Sequence, residues 1–373
     1  MLETLIRPIR VQPFFGYRNG ERMRISARAL RTRATPFGQG AGQWQAFRTM
    51  LGQFLSREVP ELPVRLEVAQ AGGTVVAFDG ATDAEGYVHF DVVLPDPRPR
   101  AAQPMWESVV FHWEDAYGPH SATGFILAPG STARLAIISD IDDTIIETGI
   151  TGGLGQLARN WRRVLAQLPA ERLLVPGADV FYNALGGGTV LSESSGTPGE
   201  RQDATRNPFF YISSSPWNLF SYLVAFQRGR GLPLGPLMLR DWGPNADTFG
   251  GGSHGAHKRA AIDALFAFYP HLDFALVGDD TQADLVAFGE TVARYGSRVR
   301  AVFVRLAGEA LSDQEIAARA TIEAAGVPLW LGNDYATGDE FLASIGLGTD
   351  VPAHNVLATT VKQPQAAPQP VAG

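Results

Sequence analysis

Ser139-Asp140-Ile141-Asp142-Asp143-Thr144 directly follows the apolar run Leu135-Ala136-Ile137-Ile138. This order predicts a buried strand that delivers two carboxylates, Asp140 and Asp142, to its own carboxyl end. Residues i and i+2 of a strand share a face, and where the strand gives way to a loop both can turn towards one point. Two carboxylates so placed repel by about 4 kcal/mol at roughly 4 Å and an effective dielectric near 20. A cation relieves that repulsion, and so does a shared proton. An aspartate can also act as a nucleophile and become an aspartyl-phosphate. A solvated acidic turn is the plainer alternative, but such a turn needs no fully apolar strand beneath it.

A second carboxylate pair follows the same rule. Phe274-Ala275-Leu276-Val277 leads into Gly278-Asp279-Asp280-Thr281, with Asp284 behind. Mg²⁺ prefers one or two carboxylates completed by waters and phosphate oxygens, which Asp140 and Asp279 on two strand ends of one sheet would supply. Asp284 either joins this acidic cluster or is a first-turn acid facing a helix dipole. Between the two acidic strands, Phe209-Phe210-Tyr211-Ile212 runs into Ser213-Ser214-Ser215-Pro216. Small hydroxyls and free N–H groups just before a helix make a phosphate seat. For Ser213 alone, an ordinary helix N-cap is an equal reading.

Lysine usage points the same way. The chain has 29 arginines and two lysines, Lys258 and Lys362, the latter in a Pro/Gln/Ala tail. The folded part thus keeps one lysine, in Gly255-Ala256-His257-Lys258-Arg259 at the start of a predicted helix. A site that retains Lys where Arg is used elsewhere calls for a compact ammonium rather than a planar fork. Chance survival is the alternative, and the lysine count alone does not decide it.

Strand–DxDxT, strand–Ser, Lys before a helix and strand–Gly-Asp-Asp, in that order, resemble the four motifs of the haloacid dehalogenase (HAD) superfamily of phosphohydrolases. The stretches Asp140 to Thr151, Asn207 to Asn218 and Leu239-Arg240-Asp241-Trp242-Gly243 resemble, more narrowly, the phosphatidate phosphatase catalytic domain first named for a yeast actin-patch protein. The likeness covers roughly residues 130–310. It implies that Asp140 is the nucleophile and a metal ligand. Asp142 would be the general acid/base, with its backbone carbonyl on the metal. Ser213 would bind the transferring phosphoryl group, Lys258 would neutralise it, and Asp279 would hold Mg²⁺. Asp280 departs from the pattern, since a serine commonly follows Gly-Asp there, and it is retained as a further metal-ligand candidate. Thr144, Ser214 and Arg240 are candidates for substrate contact; for Arg240 and Asp241 a simple ion pair is the alternative. Phosphoryl transfer asks mainly for alignment and for neutralised oxygens, and Asp142 would protonate the leaving alkoxide and later activate water.

Composition bounds these readings. At 373 residues the chain is too long for one ordinary core and suggests two domains. A net charge of −7 argues against general nucleic-acid binding. Residues 1–66 nevertheless hold 11 Arg against 4 acids. That basic stretch is either a solvated face or one that steers an anionic substrate and touches an anionic membrane. The absence of cysteine excludes disulfides and zinc–thiolate sites. No h-region and no apolar window of transmembrane length is apparent, so a cytoplasmic protein with at most a peripheral membrane contact is expected.

Before residue 130 the pattern is one of short, partly alternating strands: 64–68, 74–78, 87–92 and 109–113, separated by turn signals. They predict an antiparallel β-sandwich over 1–129, led by a helix carrying Trp44, Phe47, Leu51 and Phe54, with a joint at Ala128-Pro129-Gly130. From 130 to 349, strands alternate with helices near 216–229, 255–269, 282–295 and 312–325. This is a doubly wound α/β layout, HAD-like in the resemblance, with ligands at strand carboxyl ends. Residues 150–206 form an insertion, helical around Leu157, Trp161 and Leu165 and mobile from Gly186 to Thr205, placed to act as a small cap. Residues 350–373 are predicted disordered. Three functions fit: a Mg²⁺-dependent phosphatase acting on phosphatidate, the same chemistry on a soluble phosphomonoester, or an idle α/β scaffold used for binding.

Overall fold

Arginine alternating with small or apolar residues, as in Arg22-Met23-Arg24-Ile25-Ser26-Ala27-Arg28-Ala29, folds into a half-buried strand rather than a basic arm. The computed structural model describes residues 7–31, 57–70, 73–95, 99–141, 175–190, 203–240, 254–280, 283–306 and 310–347. Its first region is built from β1 (Ile9–Pro13), β2 (Gly16–Arg18), β3 (Arg22–Arg31), β4 (Arg57–Glu58), β5 (Pro63–Ala69), β6 (Val75–Ala81), β7 (Tyr87–Val93), β8 (Met105–Asp115) and β9 (Gly118–Ala128). Met23, Ile25, Ala27 and Ala29 of β3 are buried, while Arg22, Arg24 and Ser26 take the other face. The sequence reading missed β1 to β3 because the arginines looked like a charge run. Their period of two was the informative signal. The predicted leading helix falls outside the described residues.

These strands form one connected hydrogen-bonded sheet in the order β1-β3-β2-β9-β8-β5-β6, with β4 and β7 also on β3. All its pairs are antiparallel except β2 with β9. The sheet encloses its own apolar cluster, which includes Val11, Met23, Ile25, Leu66, Phe90, Phe111 and Ile126.

The second region carries β10 (Leu135–Asp140), a short pair β11 (Thr189–Val190) and β12 (Ala204–Thr205), β13 (Phe209–Pro216), β14 (Leu237–Arg240), β15 (Asp273–Asp279), β16 (Val299–Arg305) and β17 (Leu329–Gly332). Six of these strands form a parallel sheet ordered β14-β13-β10-β15-β16-β17. The chain starts in the middle with β10, moves out one way, then returns to fill the other side. The helices are α1 (Ala178–Gly186), α2 (Phe220–Gly229), α3 (His254–Phe268), α4 (Asp284–Tyr295), α5 (Asp313–Ala324) and α6 (Tyr335–Ser344). Alternate residues of β10 enter different cores. Ile137 packs with α1, α2 and α6, and Ile138 packs with α3, α4 and α5. A strand covered on both faces must be apolar throughout, and every residue of β10 is buried.

Four of these helices lie within a few residues of their predicted spans, but α1, β17 and α6 were not foreseen. Nor is all of the Gly186–Thr205 stretch irregular. Thr189 pairs with Thr205 and Val190 with Ala204. Upstream, Phe181, Tyr182 and Leu185 of α1 are fully buried core residues. The predicted helix around Trp161 lies outside the described residues, as do residues 191–202 and 348–373.

The two regions share apolar cores. Tyr17, Trp106 and Leu127 enter the cluster on one face of the parallel sheet, Phe14 and Tyr87 the one on the other. Polar contacts reinforce the junction: Asn19 donates to the Phe268 carbonyl at 2.9 Å, and the Tyr269 hydroxyl donates to the Arg18 carbonyl at 3.1 Å.

Candidate active site

β10 ends at Asp140, where the strand order reverses. Register places Ile212 of β13 level with Asp140 on one side and Val277 of β15 level with Ser139 on the other. The end of β10 therefore lies between Ser213, one residue beyond Ile212, and Asp279 at the end of β15. An α/β sheet opens its binding crevice at such a reversal, beyond the strand carboxyl ends.

Asp140, Asp279 and Asp284 converge, each offering a carboxylate oxygen within 4.8 Å of the others. Lys258, in the second turn of α3, reaches into the group. Its Nζ is 3.1 Å from Asp140 Oδ1 and forms a closer ion pair with Asp284 Oδ1. The four are almost completely shielded from solvent, at 2%, 0%, 0% and 3% exposure for Asp140, Asp279, Asp284 and Lys258. Burial alone would push the Lys258 pKa down, but Asp140, Asp284 and Asp279 override it and raise it above the usual lysine value. Lys258 thus stays cationic across the physiological range.

Among the described residues, one ammonium faces three carboxylates in a place where water cannot screen the charge. Buried charge of that kind is costly unless paired. The donor set is all carboxylate oxygen, the hard-ligand chemistry that suits Mg²⁺, so these residues fit such an ion.

Asp284 resolves an open reading of the sequence. It is both the first residue of α4 and a member of the acidic group. Its Oδ2 accepts the Asp279 N–H at 3.2 Å while Oδ1 holds Lys258. Two local features make room for it. A Cβ on Gly278 would lie 2.8 Å from both Cβ and Cγ of Asp284, so only glycine fits there. Ala283, with φ 60°, takes a left-handed turn unusual for a residue with a Cβ as the chain enters α4. Gly278 alone would be too weak a signal; Gly278 followed by Asp279 and, six residues on, the helix-opening Asp284 is the combination that carries it.

The other predicted residues are placed as follows. Ser213 is fully buried within β13, and its Oγ accepts the Ser215 N–H at 3.0 Å. It is not a helix N-cap: β13 continues to Pro216, a short 3₁₀ turn covers Trp217–Leu219, and α2 starts only at Phe220. Asp280 is half-buried, its N–H bonded to the Arg305 carbonyl at 3.1 Å, and is not among the three converging carboxylates. Asp142, Thr144 and Asp241 lie outside the described residues, as do the side chains of Ser214 and Arg240.

Beneath the site, Ser139 Oγ donates to the Asp140 carbonyl at 2.7 Å and lies 2.7 Å from the Tyr182 hydroxyl. Burial raises the pKa of Tyr182 and of Tyr335, and neighbouring groups, including Asp140, add to it. Both phenols are therefore neutral donors beside an already anionic group. Neither tyrosine was singled out from sequence, since both read as core aromatics.

Sequence comparison supports the reading of the motifs. Residues 135–306 match the family described as phosphatidate phosphatase APP1, catalytic domain. The chain is 25% identical over 274 residues to phosphatidate phosphatase APP1 of Saccharomyces cerevisiae, covering 70% of this chain and 40% of that protein. It is 22% identical over 232 residues to an uncharacterised protein of Schizosaccharomyces pombe, covering 62% and 35% respectively. The chain thus spans well under half the length of either relative. Among solved structures, a Parabacteroides merdae β-glucuronidase aligns over 80% of this chain and 34% of its own. Its TM-score of 0.23 and 8% identity carry no argument about fold or function. The acidic cluster and Lys258 all fall inside the matched segment.

Proposed function

We propose, taking the resemblance of residues 135–306 to that catalytic domain as the premise, that the chain is a Mg²⁺-dependent phosphomonoester hydrolase, with phosphatidate as its substrate. In this reading residues 130–349 form a HAD-like, doubly wound phosphatase domain. The observation that carries it is the buried group of Asp140, Asp279, Asp284 and Lys258 at the reversal of strand order. An idle scaffold has no use for three buried carboxylates around one ammonium.

Asp140 and Asp279 would hold the ion, with Asp280 and the Asp142 carbonyl as further candidates. Bound there, Mg²⁺ would supply charge neutralisation for the phosphoryl oxygens. The chemistry then belongs to the side chains. An Asp140 carboxylate oxygen attacks phosphorus, a P–O bond to Asp140 forms, and the bond to the leaving alkoxide breaks. Asp142 gives that alkoxide its proton, later takes one from a water that attacks the acyl-phosphate, and Asp140 is restored as phosphate departs. The Lys258 ammonium has three N–H donors. Asp284 accepts one, Asp140 lies at ion-pair distance, and a further donor is suited to a phosphoryl oxygen. Ser213, with Ser214 and Thr144, would bind the remaining oxygens.

A soluble phosphomonoester is the second reading, and a specific observation favours it. Arginines of the predicted basic face already have acidic partners: Arg18 pairs with Glu107, Arg22 and Arg24 with Asp91, and Arg28 with Glu58. That weakens electrostatic attraction to an anionic membrane. Among the described residues no helix is long and apolar enough to cross one.

The test is phosphate release from phosphatidate vesicles and from a panel of soluble phosphomonoesters, with and without Mg²⁺, by the wild-type protein and Asp140→Asn. Mg²⁺-dependent release that vanishes in the variant is expected. Activity confined to the soluble panel and insensitive to salt would select the second reading. Substantial release by Asp140→Asn would sink the covalent mechanism.

A further inference from the structure

Proton counting gives a direction to the hydrogen bonds beneath Asp140. A backbone carbonyl can only accept, so the single Ser139 hydroxyl proton goes to the Asp140 carbonyl. The Tyr182 hydroxyl, 2.7 Å away, must then be the donor to Ser139 Oγ. The result is a directed chain, Tyr182 to Ser139 to the carbonyl of Asp140. Ser139 and Tyr182 are fully buried and Tyr335 is 1% exposed.

Packing holds each phenol in place. The Tyr182 and Tyr335 rings meet edge to face at 6.1 Å, and Phe181 stacks on Tyr335 at 4.9 Å. Gly177, just before α1, has its nearest neighbours in Tyr335 and Ala336, so α1 and α6 approach closely at this point. Tyr335 opens α6 and lies 29 residues beyond the end of the matched segment at 306.

We propose that Tyr182 is a positioning residue that acts through Ser139 to fix the peptide leaving Asp140, and thereby the direction in which β10 delivers its carboxylates. This rests on the hydrolase reading above. The Asp140 carbonyl belongs to the peptide that leads to Ile141 and Asp142. A peptide free to rotate there would move both the Asp140 carboxylate and the residues that follow. A buried hydrogen-bond chain that ends on that one carbonyl prevents the rotation, and it does so from α1, which lines the opposite face of the sheet from Lys258. Hydroxyl loss without loss of the ring therefore separates this role from simple packing.

The experiment compares Tyr182→Phe with wild type in two ways. The first is kcat and KM on para-nitrophenyl phosphate with Mg²⁺. The second is Mg²⁺ affinity by calorimetry, which needs no turnover. Removing a buried hydroxyl from such a chain is expected to lower kcat and to weaken Mg²⁺ binding by about three- to tenfold, with KM little changed. A loss of thermal stability with kcat and Mg²⁺ affinity untouched would overturn the proposal and leave Tyr182 as a packing group. A wild-type protein that hydrolyses no phosphomonoester would remove the hydrolase reading, while the Mg²⁺ affinities of wild type and Tyr182→Phe would still decide this one.

Discussion

In the antiparallel sheet the charged side chains come in matched sets. Arg18 and Glu107 form a buried bidentate pair, at 2.7 Å and 2.5 Å, while Arg22 and Arg24 share Asp91 and Arg65 holds Asp79. In the parallel sheet three buried carboxylates share one ammonium at the reversal of strand order. The first arrangement neutralises charge and fixes geometry. Among the described residues the second concentrates negative charge, which in the proposed function a bound cation relieves. In the proposed function the contrast separates a supporting surface from a reactive one, and it follows from position: cross-strand neighbours can pair, whereas strand ends converge on a crevice.

The supporting region is nonetheless tied to the reactive one. Phe14 stacks on Trp217 at 4.4 Å and meets Phe220 edge-on at 5.0 Å. Arg28 lies over Tyr87 at 4.5 Å, donates to the Glu85 carbonyl at 3.1 Å and hydrogen-bonds Asn218 Oδ1. The turn that follows Ser213 is thus clamped by β1 and β3.

Lys258 should give the largest effect. Lys258→Met removes the only cation among the described partners of Asp140 and Asp284, and a broken buried pair costs about 3–5 kcal/mol. Chemical denaturation should register that loss, and Mg²⁺ should restore part of it. Turnover should fall by about a hundredfold or more, as for removal of a preorganised transition-state donor. Lys258→Arg keeps the charge, and its planar fork should still fail in the seat of a compact ammonium. Wild-type turnover in Lys258→Arg would erase the distinction between reactive and supporting charges.

Arg28→Met comes next. It keeps much of the aliphatic bulk and loses the clamp on Asn218, so KM for a soluble phosphomonoester should rise several-fold, with a stability cost of about 1–3 kcal/mol. An unchanged KM would mean that the turn after Ser213 holds its shape without β3.

The smallest effect belongs to Asp115, at the β8–β9 turn. Burial pushes its carboxyl up, but the Ile9 N–H at 2.7 Å, the His120 ring and the Tyr117 N–H, both at 2.8 Å, outweigh that and hold it below the usual range. A carboxyl lowered by folding contributes stability above its unfolded value, about 3.9, and loses it as pH falls through the folded value. Asp115→Asn should therefore be less stable than wild type at neutral pH, the deficit should shrink in acid, and kcat should not change. Melting curves at neutral and acid pH, with one activity measurement, check all three.

Much of the site was legible because strand ends announce themselves. Apolar runs stopping at Asp140, Ser213 and Asp279 give position and chemistry together, and Lys258 stands out against a background of arginine. Asp284 was ambiguous because a helix-opening acid has a local explanation that does not require Gly278 to make room for it. Tyr182 and Tyr335 were invisible because a buried tyrosine in an apolar segment looks like any core aromatic until its hydroxyl has a partner. The strands β1 to β3 were hidden by their arginines, whose acidic partners lie tens of residues away in sequence: Asp91 for Arg24, Glu107 for Arg18. Long-range pairing of that kind leaves no local trace.

The most direct test of the central claim is to look for phosphate on Asp140. Wild-type protein mixed with a labelled phosphomonoester and Mg²⁺, then quenched in acid during turnover, should yield a labelled peptide whose modification maps to Asp140 and disappears on treatment with hydroxylamine. A protein that turns over substrate with no label on Asp140, or with label on another residue, would contradict the account.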